Sequence, residues 1–439
     1  MNAQTTLVSP NELKDSALSV KARLDGYQVG FGEDRRFMSL VSPAPYLIST
    51  DDHQTLKKRG HVIRQWVETT NRLYHASLTD PSLFWLRDLL ETGLNDEMRA
   101  IHRQLHAKQP MRAPFFMRMD QPTFTCAAEA QTPGSGWGYH AALATCYEEY
   151  TVLGRSFVAR VAHTLRELTG KDRPRVVHLL HKVDYYGTEA TFFAQAIRAA
   201  GIDFTISVRT IPENIKTYDV VFRHYLEELG QYSGWQNLLG LYDRGGIEIE
   251  PAPNIITDHK ISMMLPFHPR TFMYYSDAVR SIFPATYLVD PYATYQMRIS
   301  NNYAHPVRLS NLPGIPPKQR RLTLKYAGMD PQKRAGGRGV FNLSMSDEAE
   351  INRLLQQVID DTYNGIPWLL QEMVLRRYPV TYLSAEGAIA NDQWYARINP
   401  FYAFPASGGS ELLGCPVHFR NFWKVHGQPD AVETIMAIA

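Results

Sequence analysis

Cysteine is scarce in this chain, neither sign of charge dominates, and long apolar runs are missing. The three cysteines, Cys126, Cys146 and Cys415, are odd in number and scattered, with no CxxC spacing. That pattern excludes a disulfide scaffold or a cysteine-rich metal module and implies reduced thiols in a cytoplasmic protein. Basic residues number 46 and acidic residues 44, a net charge of +2. No basic stripe therefore points to nucleic acid, and no acidic tail is present. No window of about 18 apolar residues occurs, so no membrane span is expected. The opening MNAQTTLVSPNELKDS lacks the charged start and apolar core of a secretory signal. Internal repeats and low-complexity segments are absent.

What is there is the composition of a globular protein, 439 residues with 44% hydrophobic and 11% aromatic content. That length predicts two or three domains and a core large enough for a multi-substrate site. The pattern divides into a helical and cleft-forming region over 1–170, a small α/β unit over 171–255 and a final unit over 256–439. Residues 1–50 read as polar and irregular. Apolar spacings of three and four predict helices from about 52 and again over SLFWLRDLLETGLNDEMRAIHRQLHA. Two strands and a glycine-rich turn follow, then one long helix over roughly 139–169. From about 172, strands alternate with helices: RVVHLLHKV, GTEATFFAQAIRAAG with Gly201 as its cap, DFTISV, and YDVVFRHYLEEL. This alternation predicts a small parallel sheet. The last region holds strands RRLTLKY and GVFNLSM, a helix capped by Ser346, strands PWLLQEMVL, RYPVTYLSAEG and QWYARINPFYAF, and a terminal loop from Gly408. The fold class is α/β (α+β).

The most informative stretch is KYAGMDPQKRAGGRGVFNL, residues 325–343, a lysine and a glycine-rich loop between two strands. Glycines let backbone N–H groups turn toward an anion, Arg338 adds charge, and Lys325 can act as a point charge. The order of the parts differs from a P-loop, which ends in GK[ST] and opens a helix. A flexible hairpin tip with a solvated arginine explains the loop equally well on its own. Farther on come WLLQEMV and RINPF. Asn399 offers a hard oxygen suited to Mg²⁺, and Arg397 shares its strand face. Upstream, Arg118 and Asp120 share a strand face, and Arg118 can clamp a carboxylate. Glu129 precedes the PGSGWG turn, where the backbone must approach something closely.

Taken together, LKYAG, AGGRGVF, WLLQEMV and RINPF resemble the ATP-grasp superfamily over about residues 285–420. FFMRMDQPTFTCAAEAQTPGSGWGY is similar to a segment of its circularly permuted glutathionylspermidine-synthase-like group, as are VVHLLHKVDYYGTEATFF and DVVFRHYLEEL. The resemblance implies an ATP-grasp fold preceded by a small pre-grasp domain. It also implies a nucleotide held by Lys325, by Gly336, Gly337, Arg338 and Gly339, and by Gln371 and Glu372 at the adenine. Asn399 takes the Mg²⁺ role, and Arg118, Asp120, Glu129 and Arg397 are the candidate catalytic residues. One departure stands out: the family writes a carboxylate two positions before the asparagine, where this chain has Arg397. Glu386, Asp392 and Glu411 are the alternative sources of carboxylate.

The implied activity is an ATP- and Mg²⁺-dependent carboxylate–amine ligase that forms an amide through an acyl phosphate. The implied partners are a small acid and a small amine. A thiol or carrier-protein acceptor and a non-catalytic nucleotide binder are the alternatives, and a homodimer is the general expectation for a chain of this kind. His102 and His106 share a helix face without an HExxH context, and His178 and His181 face opposite sides of a strand, so neither pair is read as a metal site. Glu189 is read either as a contact for a substrate amine or as a first-turn glutamate stabilising its own helix.

Overall fold

The structure, a computed structural model, describes residues 9–29, 39–108, 110–131, 136–147, 149–224, 226–254, 256, 259–291, 293–300, 303–330, 333, 338–425 and 429–439. Of residues 227, 295–300 and 303–307 it describes the backbone alone. The described residues form a mixed α/β fold of several sheets, in line with the fold class expected from the sequence.

A small parallel sheet runs in the order Asp203–Val208, Arg175–Leu180, Val220–Phe222, Glu248–Glu250. Its central strands are near-continuous apolar runs because both faces are covered. The order reverses between the first and third strands, so the connections diverge there. An antiparallel sheet, Val340–Asn342, Leu322–Tyr326, Trp368–Glu372, Thr286–Leu288, packs on the helix Glu348–Tyr363 through Ile351, Leu354, Leu355 and Val358. That helix is capped by Asp347, whose side chain accepts the Glu350 N–H, one residue later than the sequence suggested.

The remaining two large sheets join the two ends of the chain. Leu40–Val41 and Tyr46–Ile48 both pair in parallel with the terminal strand Val432–Ile438, which continues into Pro416–Arg420, Ile389–Ile398 and Arg377–Leu383. Phe116–Asp120 pairs with Phe401–Ala403 on one side and Glu129–Gln131 on the other. The expected terminal loop after Gly408 therefore contains three strands, Glu411–Gly414, Pro416–Arg420 and Val432–Ile438. Short strands whose partners lie hundreds of residues away leave little local signal.

Two helical expectations change. The irregular N-terminal region contains an 18-residue helix, Pro10–Tyr27, started by a Ser9–Glu12 capping box and buried through Ala17, Val20 and Leu24. The long helix expected over 139–169 is two helices, Trp137–Cys146 and Phe157–Thr169. Gly154 lies in the break at φ +123°, and a Cβ there would meet the His140 ring at 2.7 Å. Among the described residues, no helix is long and apolar enough to cross a membrane. None of the three cysteines forms a disulfide, and all are buried.

Glu250 ends the parallel sheet and accepts the Phe116 N–H at 3.1 Å, which ties that sheet to the Phe116–Asp120 strand. Burial pushes its carboxyl up to about 7, against the pull of Arg112. A carboxyl raised in the folded state stabilises fully below its unfolded value, and that contribution is lost as pH rises through the folded one. The Tm of Glu250→Gln, relative to the parent, is expected to rise between pH 4.5 and 7 and level off above. The amplitude corresponds to roughly 3–4 kcal/mol. A difference that stays flat with pH would contradict the assignment.

Candidate active site

The strand Phe116–Asp120 is the base of the site. Alternation places Arg118 and Asp120 on one face, and register sets Asp120 opposite Glu129 and Arg118 opposite Gln131. Arg118 Nε donates to Asp120 Oδ1 at 3.2 Å. Arg118 also donates to Gln131 Oε1, and Gln131 Nε2 donates to Asp120 Oδ2 at 3.2 Å. The chain carries on into a bridge between Gln121 and Ile398, made by two backbone hydrogen bonds of 2.9 and 2.7 Å. That bridge delivers Arg397 and Asn399 to the same carboxylate. Asn399 Nδ2 donates to Asp120 Oδ1 at 2.6 Å, and Arg397 Nη1 lies 3.8 Å from Asp120 Oδ2. The shared face expected for Arg397 and Asn399 is thus realised.

Lys325 comes from the other antiparallel sheet. Its Nζ donates to the Ala128 carbonyl at 2.9 Å. Burial pushes the ammonium down to about 8, partly offset by Glu129 and reinforced by Lys260. Lys260 Nζ in turn lies 3.7 Å from Glu129 Oε1. Four cationic side chains, Arg118, Arg397, Lys260 and Lys325, therefore gather around two carboxylates, Asp120 and Glu129. A partly buried cluster with that imbalance is built to receive an anion.

Asn399 Oδ1 and Arg397 Nε are buried without a hydrogen-bond partner. An orphaned amide oxygen beside Asp120, with Glu129 directly opposite in the register, is a set of hard oxygen donors of the kind Mg²⁺ takes. Among the described residues, no group of three or more His, Cys, Asp or Glu side chains forms a metal cluster, so a metal here would need Asn399 and ligand oxygens beside Asp120 and Glu129. The alternative carboxylates lie elsewhere. Glu386 is exposed, Asp392 accepts from Tyr382 at 2.8 Å, and Glu411 pairs with Arg160.

The other expected nucleotide residues sit on or near the Lys325 sheet. Thr323 and Lys325 share a face with Gln371 and Leu369 across the register, so Lys325 and Gln371 point to the same side. Gln371 is buried, and its Nε2 donates to Thr286 Oγ1 at 2.9 Å. Glu372 points to the opposite face of the strand. Gly339 is buried, accepts the Tyr326 N–H at 2.7 Å, and has no room for a Cβ, which would lie 2.6 Å from that of Tyr326. Arg338 is exposed. Gly336 and Gly337 lie outside the described residues.

Sequence reasoning missed Gln131 and Lys260. Gln131 was within reach, since it stands two positions after Glu129 in one strand and so shares its face. Lys260 opens an isolated 3₁₀ segment, Lys260–Phe267, with no motif around it. The histidine pairs behave as structural side chains. His102 and His106 pack against the Tyr74 ring, with centroids at 4.8 and 4.6 Å. Glu189 lies well inside the helix Val183–Ala199, not in its first turn, and its carboxylate serves another helix.

Removing the Asp120 carboxylate leaves the Arg118 and Arg397 guanidinium groups facing each other. Asp120→Ala is expected to cost about 2–4 kcal/mol in urea unfolding at low salt. Added sulfate should recover part of that loss more strongly than equal ionic strength of chloride. An unchanged midpoint would show that the carboxylate does not hold the cluster.

No family model matches this sequence, and no curated protein matches it. Among solved structures, the chain is similar to a glutathione synthetase-like effector from Globodera pallida in its apo form. The two align with a TM-score of 0.56 and 11% identity over 100% of both chains. At that identity the likeness concerns the fold alone, and over its whole length this chain has a fold similar to that of a glutathione synthetase-like protein.

Proposed function

We infer that the chain is an ATP-dependent ligase that joins a small carboxylic acid to an amine. One observation carries this reading: Asp120, Arg118, Arg397 and Asn399 converge from distant strands, with the buried Lys325 ammonium directed at the same cluster. The overall likeness to a glutathione synthetase-like fold supports it.

In this reading the γ-phosphoryl group of ATP passes to the substrate carboxylate, leaving ADP and an acyl phosphate. Attack by the amine then forms the amide, releases phosphate and sheds a proton. The protein's task is electrostatic, because two anions must be brought together before phosphoryl transfer. Lys325, Arg118 and Arg397 supply fixed positive charge for that encounter. Asp120, Glu129 and the amide oxygen of Asn399 would hold Mg²⁺, which supplies further charge neutralisation at the phosphates. Asp120 also keeps Arg118 and Arg397 from separating. The partial burial of the cluster strengthens these interactions relative to water. Arg338, exposed two residues before the strand Val340–Asn342, adds positive charge for the phosphates.

A second reading, nucleotide binding without turnover, is favoured by Arg397 at the position where the related pattern has a carboxylate.

Incubation with Mg·ATP and pools of amino acids and small carboxylic acids is expected to release ADP and phosphate. Lys325→Ala should lower that release by more than 100-fold. AMP and pyrophosphate as products would contradict the phosphoryl-transfer reading, and tight Mg·ATP binding with no turnover in any pool would favour the second. The low pKa of Lys325 adds a pH signature, since its charge is present below about 8 and lost above. Affinity for Mg·ATP should therefore fall as pH rises past 8, and Lys325→Arg should flatten that fall. Parallel pH profiles for parent and variant would remove Lys325 from the phosphates.

A further inference from the structure

The helix Trp137–Cys146 begins without a cap of its own. Gly136 occupies the N-cap position, and no side chain of the same segment bonds to the first turn. The first-turn N–H groups have no intrahelical acceptors and need partners elsewhere. Two N–H groups at this end, those of Gly136 and Gly138, find their partner in Glu189, from the helix Val183–Ala199 of the small α/β unit. Glu189 Oε1 accepts the Gly136 N–H at 2.7 Å, and Oε2 accepts the Gly138 N–H at 2.9 Å.

The fit is close. A Cβ on Gly138 would lie 1.8 Å from the Glu189 carbonyl oxygen, so only glycine permits this approach. Gly136 has φ +84°, and a Cβ there would lie 3.4 Å from Arg118 Nη1. The grip is therefore immediately beside the arginine that holds Asp120. Burial raises the Glu189 carboxyl to about 7, while the two N–H groups and Arg118 favour its ionised form. Trp137, between the two glycines, packs edge-on against Phe116, Phe193, Phe222 and Phe401. Those rings come from the site sheet and from the small α/β unit alike.

A second buried carboxylate, Glu433, holds the same helix through Tyr139. Glu433 accepts from the Tyr139 hydroxyl and from Ser39 Oγ. It belongs to the terminal strand Val432–Ile438 and serves as the natural control.

We propose that Glu189 is a positioning residue that sets the phosphate-facing orientation of Arg118, by fixing Gly136 and the start of the helix Trp137–Cys146 against its guanidinium. This adds a second carboxylate joint between the small α/β unit and the site strand, beside the one that Glu250 makes to Phe116. The orientation claim rests on Arg118 facing a phosphate, as in the ligase reading. The joint itself does not.

Two measurements on the full chain separate these parts, with Glu189→Gln, Glu189→Asp and Glu433→Gln compared at matched Tm. Amide hydrogen exchange, with no ligand present, should speed up at least 10-fold in peptides spanning 116–131 and 136–140 for Glu189→Gln. For Glu433→Gln the change should be confined to 137–146 and 430–438. Calorimetry with Mg²⁺ and a non-hydrolysable ATP analogue should show at least 5-fold weaker binding for Glu189→Gln, partial recovery in Glu189→Asp, and parental affinity in Glu433→Gln. Unchanged exchange over 116–131, or equal losses in both Gln variants, would overturn the joint. Altered exchange with unaltered affinity would overturn its orientation of Arg118. If the parent binds no nucleotide, the ligase reading fails and the exchange result alone decides the joint.

Discussion

The carboxylate of Asp120 is the constraint on which the rest of the site depends. It bonds Asn399 across 279 positions of sequence and takes both Arg118 and Arg397 as counter-charges. A buried guanidinium is costly without such a partner, and burial already pushes Arg397 below the usual arginine range. Two arginines and an asparagine from separate sheets stay close together because one carboxylate satisfies them all. The backbone bridge between Gln121 and Ile398 then fixes the spacing.

Around this point the charges do not balance. Lys325 and Lys260 add two further cations, and Glu129 only one further carboxylate. The protein has gathered more positive charge than it neutralises internally, in a place where water screens it poorly. Such an arrangement is unfavourable for stability alone, which is the physical ground for reading it as a binding site. The orphaned Oδ1 of Asn399 is a second sign of the same kind, since most buried polar atoms in folded proteins have partners.

Much of this was legible from local sequence. Alternation in FFMRMD and RINPF correctly set Arg118 with Asp120 and Arg397 with Asn399, because strand periodicity is a local property. The parallel sheet was legible because both its faces are buried and its strands read as continuous apolar runs. What could not be read was long-range pairing: the sharing of sheets between the first 131 residues and the last 40, and the arrival of Lys260 at Glu129. The helix Pro10–Tyr27 was missed although its signal is local: Leu13, Ala17, Val20 and Leu24 stand four, three and four apart behind a Ser9–Glu12 capping box. Glu189 was misread for a different reason. A glutamate that caps a different helix carries no signature in its own neighbourhood.

The most direct test of the central claim is a crystal structure grown with Mn²⁺, in place of Mg²⁺, and a non-hydrolysable ATP analogue, with the metal located by its anomalous signal. The account predicts an anomalous peak about 2.1–2.3 Å from a carboxylate oxygen of Asp120 and from Asn399 Oδ1, with phosphate oxygens on the metal and on Lys325 Nζ. A nucleotide bound elsewhere, or bound here with its metal away from Asp120 and Asn399, would contradict it.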